Sequence, residues 1–380
     1  MCGARFIFCI NLDILSQRGD FMSNKPMGRQ SFLFEIPPVI TSWASVSGKK
    51  EKEGPLSRYF DVVCRDSYFG QKTWEQAEKK MQQMALDTLA QKCGMEKERF
   101  QLVLSGDLLN QCIGSSFSLR NSGIPHLGLY GACSTMGEAL SLGAMTVDAG
   151  HADCVLAMAS SHYATAEKQF RFPLAYGNQR PQSATWTVTG CGAVVLSSGG
   201  HVLKKNGRVI RIAGITTGKM VDLDFKDSMN MGAAMAPAAW DTIVQNFEDL
   251  GVDQDWYDQI ITGDLGKIGQ KILLELLKQK GYDLADKHMD CGLKIYDGEN
   301  QDTHSGGSGC GCAAVTLCSH ILPKLLDGTW RRILFLPTGA LLSTVSYNEG
   351  QSIPGIAHGV ILESCAASSL ESGAASERKR

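Results

Sequence analysis

Short apolar runs alternate with stretches of helical periodicity along most of the chain. "LVLSGDLL" (102–109), "DCVLAMASS" (153–161), "QIITGDLG" (259–266) and "RRILFLPTG" (331–339) read as buried strands bounded by turn residues. Between them, "TWEQAEKKMQQMALDTLAQKCG" reads as an amphipathic surface helix. Trp74, Ala77, Met81 and Met84 form its inner stripe, Thr73 and Gln76 its capping box, and Gly94 its stop.

Two stretches differ from that surface helix. "GACSTMGEALSLGAMTVDAG" (131–150) and "GGSGCGCAAVTLCSHILPKLLDG" (306–328) pass from a glycine-rich turn into helices of small and apolar residues nearly all round. Such helices are buried. Each follows an apolar strand ending in Ser/Thr-Gly-Asp-Leu, and each precedes a new strand, so the same order of elements occurs twice. Alternating strands and helices predict a mainly parallel α/β sheet. The duplication with two buried helices predicts a five-layer αβαβα sandwich with pseudo-twofold symmetry, one half over 22–200 and the other over 201–363.

The flanks fall outside this scheme. Residues 1–21 resemble a weak signal peptide, but the run "FIFCI" is short and Asp13 interrupts its continuation. They are expected to be a peripheral N-terminal extension. The small, polar and finally basic segment 364–380 is expected to be a disordered tail. At 380 residues the chain accommodates two packed halves, and 43% hydrophobic with 20% charged residues is ordinary globular composition. A formal charge of −2 offers no basic footprint for nucleic acid. Thirteen cysteines lack the spacing of a disulfide framework and read as reduced thiols. Cys310 and Cys312 have no companion pair, so no metal site is expected. No apolar run is long enough to span a membrane.

The pieces "GACSTMGEAL", "GHADCVLAMAS", "TGCGAVVLSSGG" and "HSGGSGCGCAAV" resemble the thiolase superfamily of thiolases and ketoacyl synthases. Within it, "ACSTMGEALSLGAM", "RFPLAYGNQRPQSATWTVTGCGA" and "DTHSGGSGCGC" are most similar to a sporulation-protein branch of spore-forming bacteria. That resemblance implies a component of the spore VA system, which moves dipicolinic acid, as its calcium complex, into the developing spore. It implies binding without acyl transfer, no cofactor, a homodimer, and attachment at the spore inner membrane through other spore VA membrane proteins.

Cys133 stands at the superfamily's nucleophile position. A thiol at a helix start faces unpaired N–H groups that favour thiolate, and its own N–H with one from "PTGALL" around Gly339 is an expected oxyanion hole. A second reading makes Cys133 a small buried residue at a close helix–strand contact. His304 falls where the superfamily carries a histidine or asparagine beside the nucleophile, or else it is an exposed loop residue. The turn from Gly306 and Gly307 to Gly309 leaves N–H groups for an anion. Where condensing enzymes place a second histidine, this chain has Gly263, followed by Asp264, and "LPTGALLSTV" lacks the thiolases' second cysteine. Without a full proton-transfer set, condensation is badly impaired.

A planar diacid needs an aromatic or apolar slot and two anion-holding points. "EKQFRFPLAYGNQRP" supplies Phe170, Phe172 and Tyr176 with Arg171 and Arg180. The expected ligand-binding set is therefore Cys133, His304, Asp264, Gly306, Gly307, Gly339, Arg171, Phe172 and Arg180. The rival is an acyltransferase or thioesterase in which Cys133 and His304 act on coenzyme A thioesters, and a third reading is a scaffold with a vestigial pocket.

Overall fold

The computed structural model describes residues 26–170, 180–199 and 207–368. The first half contributes β1 (Val39–Ser47), β2 (Leu102–Gly106), β3 (His126–Gly128), β4 (Cys154–Ser161) and β5 (Gly190–Ser197). The second contributes β6 (Arg208–Thr216), β7 (Gln259–Thr262), β8 (His288–Asp290), β9 (Arg332–Leu336) and β10 (Gly359–Ala366). Hydrogen bonding orders them β8-β7-β9-β10-β6-β1-β5-β4-β2-β3, a sequence that reads equivalently from either end. The pseudo-twofold axis passes between β6 and β1, which meet antiparallel at Ile210–Ile40 and Arg211–Val39.

In each half the outer three strands pair in parallel. The last strand, β5 or β10, runs against both of its neighbours. The pairing is therefore mixed rather than mainly parallel. In the second half the return from β9 to β10 passes through a small antiparallel ribbon, Thr338–Ala340 with Gly355–Ala357, and not through a crossover helix of the kind parallel neighbours need.

Helices lie on both sides. On the outside, α1 (Trp74–Cys93) and α2 (Ile113–Leu119) cover the first half. The central layer holds α3 (Thr135–Asp148); α4 (Met231–Leu250) and α5 (Gly266–Gln279) cover the second half; and α6 (Cys310–Thr316) completes the central layer. Both central helices pack on strands of the first half, and α3 also reaches β10 of the second. Met136, Leu140, Ala144, Cys312 and Val315 are buried in one central core with Leu104, Val194 and Ile333. The five-layer duplicated sandwich is the fold.

Local signals set α1 closely. Thr73 caps it by accepting from Gln76 N at 3.2 Å, and Gly94 closes it in the left-handed region at φ 61°. The capping box is half-formed, because Gln76 Oε1 accepts from Lys72 N at 3.4 Å instead of from Thr73. The inner face also buries Glu78 and Gln82, which the apolar stripe did not announce. One boundary moves: Ser364 and Cys365, placed in the tail, pair with Ile210 and Val209 as the end of β10. The extension 1–21 and the division at residue 200 lie outside the described residues.

Candidate functional site

Cys133 sits in a single 3-10 turn, Ala132–Ser134, immediately before α3. Ala132 is held at φ 48°, a strained conformation for a residue with a Cβ. Its structural counterpart is Ser308: each lies two residues before the first helical residue of a central helix, Cys133 before Thr135 and Ser308 before Cys310. Across the pseudo-twofold axis, Cys133 Sγ and Ser308 Oγ stand 3.9 Å apart.

Asp264 joins them. Its Oδ2 accepts from Ser308 Oγ at 2.7 Å and Gly309 N at 2.9 Å, and its Oδ1 accepts from Thr338 Oγ1 at 2.8 Å. The Cys133 thiol lies beside this carboxyl, close enough to feel its charge. Burial pushes the Asp264 pKa up, against the pull of those donors. Burial also pushes the Cys133 pKa well above the usual thiol value, and the Asp264 charge adds to it. The sequence suggested the opposite, a thiolate favoured by the helix start. Desolvation and an adjacent carboxylate outweigh a helix-end effect of roughly 0.3–1 kcal/mol.

The same carboxylate changes the reading of the glycine turn. Gly309 N is taken by Asp264, and Gly306 N donates to Thr303 O at 3.0 Å. Gly307 and Ser308 form a short parallel ribbon with Trp186 and Thr187. The anion that the turn binds is the chain's own Asp264.

His304 does not join Cys133. Its Nδ1 lies 2.8 Å from Pro181 O and its Nε2 3.0 Å from Asp302 Oδ1. At Gly263, the position aligned with the condensing enzymes' second histidine, a side chain would press on the backbone of another segment. A Cβ on Gly263 would stand 3.0 Å from Pro337 Cα and 3.1 Å from Thr338 N, both backbone atoms. Gly339 is indeed brought to the Cys133 turn, where a Cβ would come within 2.3 Å of Gly131 O and 3.3 Å of Cys133 N. Ser134 Oγ ties this region together by donating to Pro337 O at 2.8 Å.

Above Cys133 opens a cleft enclosing about 570 Å³ of empty space, its mouth included. Leu108, Ala166, Met229, Met231, Ala340 and Leu342 give it an apolar wall, with hydroxyls from Thr185, Thr187, Ser228 and Ser308. Among the described residues no lysine, arginine or histidine lines it, and Glu167 does. Asp264 lies beneath this floor, fully buried, and not on the wall. Arg180 turns instead to Asp302, its Nη2 donating to the backbone O at 2.9 Å and to Oδ2 at 2.8 Å. Arg171, Phe172 and Tyr176 lie outside the described residues, as does the side chain of Phe170. Sequence reasoning missed Ser308 and Thr338; the repeated Thr/Ser-Gly-Asp signal pointed to Asp264 but not to what it holds. In the first half the matching Asp107 turns to its own helix, accepting from Ser115 N and Oγ, both at 2.7 Å.

The fold is that of thiolase-like condensing enzymes. A single-residue variant of OleA from Xanthomonas campestris is similar in structure, with TM-score 0.56 at 15% identity over 87% of this chain and 99% of that one. So is 3-oxoacyl-(acyl carrier protein) synthase III of Xanthomonas oryzae pv. oryzae, with TM-score 0.52 at 14% identity over 86% and 99%. The family model for stage V sporulation protein AD matches residues 28–363. Stage V sporulation protein AD of Bacillus subtilis (strain 168) is 44% identical over 339 residues, 89% of this chain and 98% of that protein. The chain belongs to the stage V sporulation protein AD family.

Proposed function

We propose that this sporulation protein binds dipicolinic acid, alone or as its calcium complex, and serves its transport into the developing spore without thiolase chemistry. The observation that carries the non-catalytic half is Asp264. A condensing site needs an imidazole to exchange protons beside the thiol; here a buried carboxyl stands beside a buried, neutral thiol, and His304 is engaged elsewhere. Family membership and the resemblance of the motifs support the ligand.

Titration calorimetry with dipicolinic acid, with and without calcium, tests the reading: saturable heat is expected, and none at millimolar ligand overturns it. Incubation with acetyl- or malonyl-coenzyme A followed by intact mass spectrometry tests the other half. An acyl adduct on Cys133 that turns over overturns the non-catalytic assignment in favour of an acyltransferase or thioesterase.

Two partners belong to the proposal. The edge strand β3 exposes Leu127, and the neighbouring α2 and α3 expose Phe117 and Met145, an apolar edge suited to a second copy of the chain. No helix among the described residues is long and apolar enough to cross a membrane. In this proposal, attachment at the spore inner membrane is made by the spore VA membrane proteins.

A further inference from the structure

Two carboxyls are fully buried in the first half, Glu78 on the inner face of α1 and Asp107 just after β2. Among the described residues neither has an ion-pair partner. Polar side chains join them instead. Gln82 Nε2 donates to Ser160 Oγ at 2.7 Å and to Ser115 Oγ at 3.3 Å. Ser160 in turn donates to Glu78 Oε1 at 2.9 Å, and Ser115 to Asp107 Oδ2 at 2.7 Å.

The two carboxyls differ in what surrounds them. Asp107 meets donors only, Ser115 N and Oγ at 2.7 Å and Leu109 N at 3.0 Å. Glu78 meets a hydroxyl with another acceptor in reach. Thr165 Oγ1 stands 2.6 Å from Glu78 Oε2 and 2.9 Å from His162 O, and a hydroxyl has one proton to give. A proton on Glu78 Oε2 satisfies every group: the acid donates to Thr165, and Thr165 donates to His162 O. Neighbouring buried carboxylates repel, so the pair retains a proton, and this pattern puts it on Glu78 and the charge on Asp107. Burial and then the Asp107 charge push the Glu78 pKa well up, and Glu75 on the same helix acts in the same direction. The other titratable neighbours do not compensate. His126 of β3 faces Asp107 but burial lowers its pKa, and His162 turns Nε2 to Ser67 O. Cys112, Cys191 of β5 and Cys310 of α6 are thiols with raised pKa values.

Both carboxyls adjoin the wall of the cleft over Cys133. Leu108 follows Asp107, and Ala166 and Glu167 follow Thr165 in the short helix Tyr163–Phe170. His162 O, which accepts from Thr165, also accepts from Ala166 N at 3.0 Å at the start of that helix. We infer that Glu78 is a positioning residue for this cleft: as a neutral acid it donates to Thr165 and fixes the helical turn that forms one wall. Its bearing on ligand rests on the proposed reading that the chain binds dipicolinic acid, here in this cleft. Ionised, Glu78 would draw the Thr165 proton away from His162 O and set a second charge beside Asp107. The native state holds this proton more tightly than the unfolded chain, so the anchoring is complete at low pH and is lost as pH rises through the native value.

Infrared difference spectroscopy of the full chain at neutral pH tests the protonation directly. Glu78→Gln should remove one carbonyl band of a protonated carboxylic acid, a band that Asp107→Asn leaves in place. Hydrogen exchange over residues 163–167 reads the turn without ligand. Relative to Glu78→Gln, whose amide donates to Thr165 as the acid does, wild-type protection should fall by about tenfold per pH unit until the native value is passed. Glu78→Ala should lose protection at every pH; if it fails to fold, Thr165→Val, which keeps the shape without the hydroxyl, takes its place. Calorimetric titration with dipicolinate at neutral pH should keep Glu78→Gln within about twofold of wild type and weaken Glu78→Ala or Thr165→Val by about tenfold. An unchanged infrared spectrum in Glu78→Gln, or a Gln variant as unprotected as Ala, overturns the inference. Equal dipicolinate affinity in every variant overturns the positioning role and leaves the dipicolinate reading standing. Wild type that binds no dipicolinate, with the infrared and exchange results as expected, upholds the anchored turn and sinks that reading.

Discussion

Replacing Asp264 by alanine removes the acceptor of three buried donors, Ser308 Oγ at 2.7 Å, Gly309 N at 2.9 Å and Thr338 Oγ1 at 2.8 Å, and the charge beside the Cys133 thiol. Hydrogen bonds to a charged acceptor are worth roughly 1.5–3 kcal/mol each, so the three amount to roughly 5–9 kcal/mol. Against this stands the relief of a fully buried carboxyl, itself a cost of several kcal/mol. The net expectation is a loss of about 3 kcal/mol in urea unfolding at neutral pH. Asp264→Asn keeps one acceptor oxygen and turns the other into a donor, so it should fall between wild type and alanine. The substitution has a second, chemical readout. Asp264 is one of the causes holding the Cys133 pKa high, so its removal should raise the rate of alkylation at Cys133. A drop of one pKa unit increases the thiolate fraction about tenfold while the pKa remains above the working pH. Peptide-resolved mass spectrometry after iodoacetamide treatment separates Cys133 from the other thiols. An Asp264→Ala protein within about 0.5 kcal/mol of wild type, alkylating Cys133 at an unchanged rate, would refute the assigned role.

Gly339→Ala places a Cβ within 2.3 Å of Gly131 O, a backbone atom that cannot swing aside, and should cost about 2 kcal/mol or more in chemical denaturation. Asp290 is fully buried, and burial raises its pKa to about 6 despite donors at Thr262, Leu265 and Gly266. The native state therefore holds this proton more tightly than the unfolded chain, and the contribution is complete below the unfolded value of 3.8 and lost as pH rises through about 6. Stability of wild type relative to Asp290→Asn should accordingly fall by about 3 kcal/mol between about pH 4 and pH 7; a pH-independent difference contradicts the burial argument. Leu127 is 56% exposed on the edge strand, and Leu127→Lys should convert a dimer seen by light scattering into a monomer. A monomeric wild type would remove the proposed dimer.

The chain's order of apolar runs and helical periods determined the duplicated α/β architecture and the burial of the two helices after the glycine turns. It also determined α1 to the residue, because Thr73, Gln76 and Gly94 act within a turn or two of their own backbone. The cysteine at the start of α3 and the Thr-Gly-Asp of the second half were legible for the same reason. Tertiary structure decided everything that depends on which distant segments meet. Asp264 reaches Cys133 and Ser308 only because the two halves close around a pseudo-twofold axis. Burial between the halves, with the Asp264 charge added, keeps the thiol neutral; the same carboxyl occupies the glycine turn, while His304 is left to Pro181 and Asp302. Lys50 and Arg180 are 130 positions apart, so nothing in local periodicity links them, yet packing sets both on the ring of Trp186. Periodicity and capping are short-range interactions written into neighbouring residues. Charge, burial and pKa are properties of the assembled surroundings, and these exist only once the chain has folded.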